Sequence, residues 1–295
     1  MDLEQKSIER IKMASEMSLH HYGKPLICTY SGGKDSDVML ELFKRSGVPF
    51  EVQNSHTTVD APPTVYHIRE VFRELEFSGI PCSIDYHRQP DGHFLTMWNL
   101  IPQKLMPPTR IARYCCQKLK EGAGVNRMIA TGVRWAESTK RRSRGGIDVI
   151  GKTPKDRISA DVEIMLNSDN DKKRLIIEKC EMKAKIVCNP IIDWADRDIW
   201  EFYWTECKSH NLLYRMGYYR VGCVGCPMAG RAVRIKEFHD FPTYERAYKR
   251  AFEKMLEIRK ANGCDTKWKD SEDVFSWWMN DPDVEGQISM EFGEE

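Results

Sequence analysis

The chain has 295 residues, 41% hydrophobic and 30% charged, which is enough for one large domain with an elaboration and for a true core. With 45 Lys plus Arg against 44 Asp plus Glu, the net charge of +1 gives no whole-chain argument for nucleic acid or a membrane surface, and only a local basic patch stays open. Mean hydropathy is −0.55, no 18-residue apolar run occurs and the first residues lack an apolar signal core, so neither a transmembrane helix nor a secretory leader is expected and the protein reads as cytoplasmic.

Apolar positions at Ile8, Ile11, Met13, Ala14, Met17 and Leu19 predict an amphipathic helix over 4–22. After a break at Gly23–Pro25, Leu26–Tyr30 reads as a buried strand and Ser31–Ser36 as a turn. Val38, Met39, Leu42 and Phe43 then have helical spacing up to a stop at Gly47. Phe50–Val52 opens a second strand, Thr64–Phe77 a helix, Ile80–Tyr86 a third strand and Arg127–Thr131 a fourth with a polar loop behind it. Strands alternating with helices predict an α/β fold with a mostly parallel sheet, whose ligands sit beyond the carboxyl ends of the strands. The charged stretch 140–185 reads as an insertion or lid, with residues 161–165 and 175–180 as a hairpin. A helix is predicted over 242–261, followed by a Trp-rich segment in which Trp277-Trp278 is a candidate docking spot. The expected organisation is a leading helix (1–24), a main domain (25–230) and a helical C-terminal extension (231–295).

Ser31-Gly32-Gly33-Lys34-Asp35-Ser36 has the chemistry of a phosphate cradle. Two glycines let the backbone approach a polyanion, and the following helix start adds a favourable dipole. Ser31 and Ser36 supply hydroxyls, Lys34 a charge and Asp35 a carboxylate able to ligate Mg²⁺. The four-residue spacer of a Walker loop is missing. The ten cysteines include two clusters, Cys115-Cys116 and Cys223-x-x-Cys226, which in a reducing compartment point to metal or catalysis rather than disulfides. Zinc, an iron–sulfur cluster and unligated thiols are the alternatives.

The hexapeptide after a strand resembles the pyrophosphate loop of the PAPS (phosphoadenosine-phosphosulfate) reductase and ATP-pyrophosphatase superfamily. So do Asn189-Pro-Ile-Ile-Asp-Trp194 with Asp198-Ile-Trp200, and Leu213–Tyr218 leading into Gly222-Cys-Val-Gly-Cys226. The resemblance covers about residues 25–230 in order and implies a Rossmann-like fold that binds an adenine nucleotide. It implies nucleotide contacts at Ser31, Gly32, Gly33, Lys34, Asp35 and Ser36, and in the loop of Gly132, Arg134, Ser138 and Arg141. Thr58, with His56, Thr57 and Asp60, lies where family members contact base and ribose, and a capped loop is the competing reading. An adjacent cysteine pair with a distant Cys-x-x-Cys is similar to the [4Fe–4S] ligation of assimilatory adenylyl-sulfate reductases, implying Cys115, Cys116, Cys223 and Cys226 as ligands and Lys120 beside them. The family's arginine before that lysine is Leu119 here.

Sulfonucleotide reductases carry a C-terminal Cys-Gly-Ile/Leu-His nucleophile motif. This tail has only Cys264, in Asn-Gly-Cys-Asp-Thr. With an intact loop and no such motif, the resemblance implies an adenylylating sulfurtransferase using ATP and Mg²⁺, with Lys34, Asp35 and Lys120 as catalytic residues. The acceptor would be DNA or tRNA, touched by the basic run 140–144, and the sulfur donor a protein such as a cysteine desulfurase. The alternatives are an adenylyl-sulfate or PAPS reductase served by thioredoxin, and a non-catalytic regulator that senses nucleotide and cluster.

Overall fold

The computed structural model describes residues 2–120, 122, 124, 126–137, 177–180, 185–264 and 266–280. They form two compact units: Met1–His56, Pro62–His87 and Lys120–Gly222 in the first, and Thr57–Ala61, Arg88–Leu119 and Cys223–Glu295 in the second. No described helix is long and apolar enough to cross a membrane.

The first unit is built on β1 (Leu26–Thr29), β2 (Phe50–Ser55), β3 (Cys82–Asp85), β4 (Met128–Ala130), β5 (Ile177–Cys180) and β6 (Lys185–Cys188), in the sheet order β3-β2-β1-β4-β6-β5. All neighbouring pairs are parallel except β5 with β6, so five parallel strands carry one antiparallel edge. Leu26, Ile27 and Cys28 are buried without alternation, as a central parallel strand covered on both faces requires. The helices are α1 (Leu3–Tyr22), α2 (Lys34–Ser46) and α3 (Pro62–Phe77), and, after α4 and α5 of the second unit, α6 (Asp196–Glu206) and α7 (Leu212–Arg215). α1 buries Ile11 and Ala14 and packs on α2, and it is tied to the segment after β6 by Ser7, whose hydroxyl donates to the Pro190 carbonyl at 3.0 Å and accepts the Trp194 indole N–H at 2.9 Å. Strand order reverses between β1 and β4, and a ligand crevice opens at such a switch point.

The second unit contains α4 (Met97–Lys104), α5 (Tyr114–Leu119), α8 (Arg231–Asp240), α9 (Pro242–Ala261) and α10 (Ser271–Met279). α9 buries Tyr248, Ala251, Phe252 and Met255 and packs against α4, whose Leu100 and Ile101 are buried. Thr96 and Asn99 cap α4 reciprocally, at 3.3 and 2.8 Å. In α10 Trp278 is fully buried and its indole N–H donates to the Pro108 carbonyl at 2.7 Å, so it is core and not a docking spot.

Two expectations shift. α2 begins at Lys34, so half of the predicted turn is already helix: the Ser36 hydroxyl closes the first turn on Gly33, accepting its N–H at 3.1 Å and donating to its carbonyl at 2.7 Å. β5 pairs with β6, which the sequence pattern had not marked as a strand, and residues 161–165 of the proposed hairpin lie outside the described residues. Residues 88–119 and 223–230 group with the C-terminal helices in the second compact unit.

Candidate functional site

In the first unit, Ser31–Gly33 joins β1 to α2 at the switch point. Gly32 has φ +71°, and a Cβ there would lie 2.8 Å from Ile68 Cγ1, so only glycine fits. Asn211, buried ahead of α7, donates from Nδ2 to the Gly32 carbonyl at 2.7 Å and to Thr64 Oγ1 at 3.1 Å. The Lys34 N–H donates to the Tyr214 hydroxyl at 2.7 Å, and burial raises that phenol's pKa, which keeps it protonated. Two of the loop's N–H groups, those of Gly33 and Lys34, are thus already engaged by hydroxyl oxygens.

Lys34 is nearly buried, with its ammonium 2.8 Å from Asp35 Oδ2 and 5.3 and 5.8 Å from the ring centroids of Trp200 and Tyr219. The second oxygen of Asp35 accepts from Arg134 Nε at 2.6 Å. Arg134, 1% exposed, also donates to the Trp194 carbonyl at 3.2 Å and to Asp196 at 2.7 Å. Burial works against its charge, and Asp35 and Asp196 outweigh burial to hold its pKa above the ordinary value. Gly132 lets the β4 loop come this close, since a Cβ there would stand 3.4 Å from the Asp35 backbone. Thr131 donates to Asn189 Oδ1, while the fully buried Asn189 keeps a Nδ2 donor with no partner among the described residues.

Under the helix start lies a buried polar cluster. The Tyr30 hydroxyl donates to Asp37, and His67 Nε2 lies 3.1 Å from both Asp37 oxygens and 3.0 Å from the Tyr30 oxygen. Burial, then Asp37, drives the Tyr30 pKa well up, so the phenol keeps its proton.

Ser31, Gly32, Gly33, Lys34, Asp35, Ser36, Gly132 and Arg134 therefore come together as one assembly. The Arg134 guanidinium is buried and bonded to two carboxylates and a carbonyl, and both Asp35 oxygens are engaged by cations. Thr58 lies in the second unit at φ 66°, where its hydroxyl accepts the Met97 N–H at 2.9 Å and caps α4. Lys120 is exposed at the turn after α5. Ser138, Arg141 and the basic run 140–144 lie outside the described residues.

Cys115, Cys116, Cys223 and Cys226 all belong to the second unit. α5 carries the adjacent pair, and Arg113 Nη2 donates to Cys116 Sγ at 3.5 Å. Cys223 and Cys226 flank a turn closed by the Cys226 N–H on the Cys223 carbonyl at 3.2 Å, with Gly225 at φ +72°. The Cys115 thiol is pushed up by a hydrogen bond with Cys116, then by burial, then by the charges of Cys116, Cys223 and Cys226. Cys116, Cys223 and Cys226 thus all bear on Cys115. Among the described residues, no group of three or more His, Cys, Asp or Glu is gathered as a single-ion site. Four thiolates around one zinc at about 2.3 Å each would lie within about 4 Å of one another. Four cysteine thiols are the donor type that either a zinc ion or an iron–sulfur cluster takes.

The remaining described cysteines differ. Burial pushes the thiol of the packed Cys188 to about 12 and that of the half-buried Cys82 to about 11. Near Cys264 the basic Lys267 lies over the Trp268 and Trp277 rings, at 5.8 and 4.8 Å from their centroids.

Compared with known proteins, the chain matches the phosphoadenosine phosphosulfate reductase domain over residues 25–229. It belongs to that family. The phosphoadenosine phosphosulfate reductase domain therefore contains the phosphate loop and all four clustered cysteines and stops before α8. An uncharacterised protein of Methanocaldococcus jannaschii is 24% identical over 89% of this chain and 54% of its own length, and a second from the same organism is covered over 39%. The chain thus spans about half or less of these relatives. An adenosine 5'-phosphosulfate reductase of Bacillus pumilus is 23% identical over 70% of this chain and 75% of its own. Among solved structures, the PAPS reductase of Candida auris matches with 15% identity and a TM-score of 0.46, over 74% of this chain and 88% of that one. The U34-tRNA thiolase NcsA of Methanococcus maripaludis, with its [4Fe-4S] cluster, matches with 13% identity and a TM-score of 0.42, over 90% and 82%.

Proposed function

We propose that this chain is an adenine-nucleotide-dependent enzyme of sulfur chemistry that takes ATP at Ser31–Ser36, adenylylates an acceptor and replaces the activated oxygen with sulfur. The observation carrying this reading is the complete phosphate loop, braced by Arg134 through Asp35 so that Lys34 stands at the start of α2. The loop, Lys34 and the helix dipole neutralise the β- and γ-phosphates, while Mg²⁺ enters on the nucleotide's own oxygens. An acceptor oxygen attacks the α-phosphorus, the bond to the β-phosphate breaks and pyrophosphate leaves. The outer sulfur of the donor's cysteine persulfide then displaces AMP at the acceptor carbon or phosphorus, and AMP carries away the departing oxygen. A thiol reductant cleaves the S–S bond, leaving the sulfur on the acceptor and a disulfide on the donor cysteine.

Cys115, Cys116, Cys223 and Cys226 are the residues proposed to hold a [4Fe–4S] group. When bound, such a group supplies electron- or sulfur-transfer chemistry. Lys120 is the proposed cationic residue following the α5 pair. The acceptor proposed is nucleic acid, DNA or tRNA, and the sulfur donor a protein of the cysteine-desulfurase type.

Anaerobic calorimetry with Mg-ATP, adenylyl sulfate and PAPS in parallel tests the reading. Preference for Mg-ATP supports it, and tighter binding of either sulfonucleotide overturns it. A reductase releasing sulfite with thioredoxin is the second reading, favoured by the alignment over three-quarters of the Bacillus pumilus enzyme. Cys264 would then be the nucleophile, and Cys264→Ser would abolish sulfite release.

A further inference from the structure

The turn between Cys223 and Cys226 is gripped by helices that begin after the family match ends at residue 229. Glu237 of α8 is buried, and its Oε2 accepts the Gly225 N–H at 2.7 Å. The next residue, Phe238, closes on the same peptide: a Cβ on Gly225 would lie 2.5 Å from Phe238 Cζ and 3.0 Å from Trp278 Cη2. The Tyr248 hydroxyl of α9 donates to the Val224 carbonyl at 3.0 Å, while the Val224 N–H donates to the Val59 carbonyl at 2.8 Å. Each polar group of the backbone from the Val224 N–H to the Gly225 N–H therefore has a specific partner.

A buried carboxylate is an expensive acceptor for one amide, because ionising it away from water costs free energy that a carbonyl in its place would not. What it gains is a short, charge-assisted bond that fixes the plane of the peptide midway between two cysteines. With that plane set, Cys223 and Cys226 leave the turn in directions chosen by α8 and α9 before any metal arrives. Outer partners of this kind orient metal ligands and govern how long the metal stays.

We propose that Glu237 is a positioning residue for the metal group of the four cysteines, with Tyr248 as its partner on the neighbouring carbonyl. This rests on the reading that Cys115, Cys116, Cys223 and Cys226 hold an iron–sulfur group. It places the retention of that group under the control of helices outside the segment shared with the family.

The test uses the full chain, reconstituted anaerobically with ferrous iron and sulfide, as wild type, Glu237→Ala, Glu237→Gln and Tyr248→Phe. Iron and labile sulfide per chain, visible absorption and the rate of iron loss to a chelator are measured, with thermal melting of the metal-free chains as the control for folding. Glu237→Ala should lose iron about 10–100-fold faster than wild type. Glu237→Gln, whose amide oxygen still accepts the Gly225 N–H, should restore most of the lifetime, and Tyr248→Phe should fall between them. Equal lifetimes for wild type and Glu237→Ala, or no rescue by glutamine, would overturn the inference while leaving the four-cysteine reading intact. If Glu237→Ala does not fold, Tyr248→Phe decides, since it deletes one hydroxyl and keeps the ring: iron loss no faster than wild type overturns the proposal. A wild-type chain that takes up no iron overturns the four-cysteine reading and this inference together, and nucleotide calorimetry still reports separately on the phosphate loop.

Discussion

Arg134 serves the phosphate loop from behind, as a buried cation with carboxylates on two sides. The two pairs are unequal: the Asp35 side chain is 22% exposed and that of Asp196 is 50% exposed, so solvent screens the second much more than the first. Arg134→Met should therefore cost about 2–3 kcal/mol in urea unfolding and weaken Mg-ATP binding, while Asp196→Asn costs under about 1 kcal/mol. Equal costs for the two variants would mean that Asp35 does not depend on Arg134. Glu237 gives a prediction in pH. Burial raises its pKa from the ordinary 4.5 to about 7, against the Gly225 N–H and Arg234, which lower it. Between those values the folded chain keeps a proton that the unfolded chain has lost, so stability falls as pH rises from 4.5 to 7, and the full penalty stands above 7. Urea titrations of the metal-free protein should show Glu237→Gln gaining on wild type by up to about 3 kcal/mol between pH 4.5 and pH 8. A parallel pH dependence of the two proteins would show that the buried carboxyl is not the source.

The β1–loop–α2 element was legible because its signals are local. An apolar run, two glycines and a helical apolar spacing lie within 18 residues, Leu26 to Phe43. Its reinforcement was not legible. Tyr30, Asp37 and His67 come from the end of β1, from α2 and from α3 and meet only in the fold, and no periodicity in the chain marks a polar trio separated by up to 37 residues. Asn211 carries the signal of a helix cap and does cap α7, accepting the Leu213 N–H at 3.0 Å, yet its Nδ2 also reaches Gly32. The buried partners of Arg134 are no more legible, since Asp35 and Asp196 lie 99 and 62 residues away from it. Tyr214 matters to the element through one atom, the hydroxyl that accepts the Lys34 N–H. Tyr214→Phe leaves that buried donor without its acceptor, which should cost about 1–2 kcal/mol in denaturant unfolding. Stability equal to wild type would mean that water takes the place of the phenol.

At the scale of the whole chain, the two sets of candidate site residues belong to different compact units, the loop to the sheet-bearing one and the cysteines to the helical one. The sequence pattern led to a main domain ending near residue 230 because the motifs end there, whereas packing follows the buried face of α9 on α4. Residues 57–61, 88–119 and 223–280 are distant in sequence but share one set of contacts: the Tyr244 hydroxyl donates to the Asp60 carbonyl at 2.7 Å, Arg110 Nε to the Pro227 carbonyl at 3.0 Å, and Arg259 to the Leu105 carbonyl at 2.8 Å. Segments bound in this way open as one cooperative unit. If the four cysteines hold a metal group, that group clips α5 to the Cys223–Cys226 turn and stabilises all three segments by linkage, because the unfolded unit binds it poorly. Hydrogen exchange on the full chain should then show faster exchange in residues 57–61, 97–119 and 223–255 together when the metal is chelated. Added Mg-ATP should instead slow exchange in residues 31–36, 131–134 and 211–214. A response to chelation confined to residues 223–226 would show that the metal group is a local ornament of the turn and not a clamp on the unit.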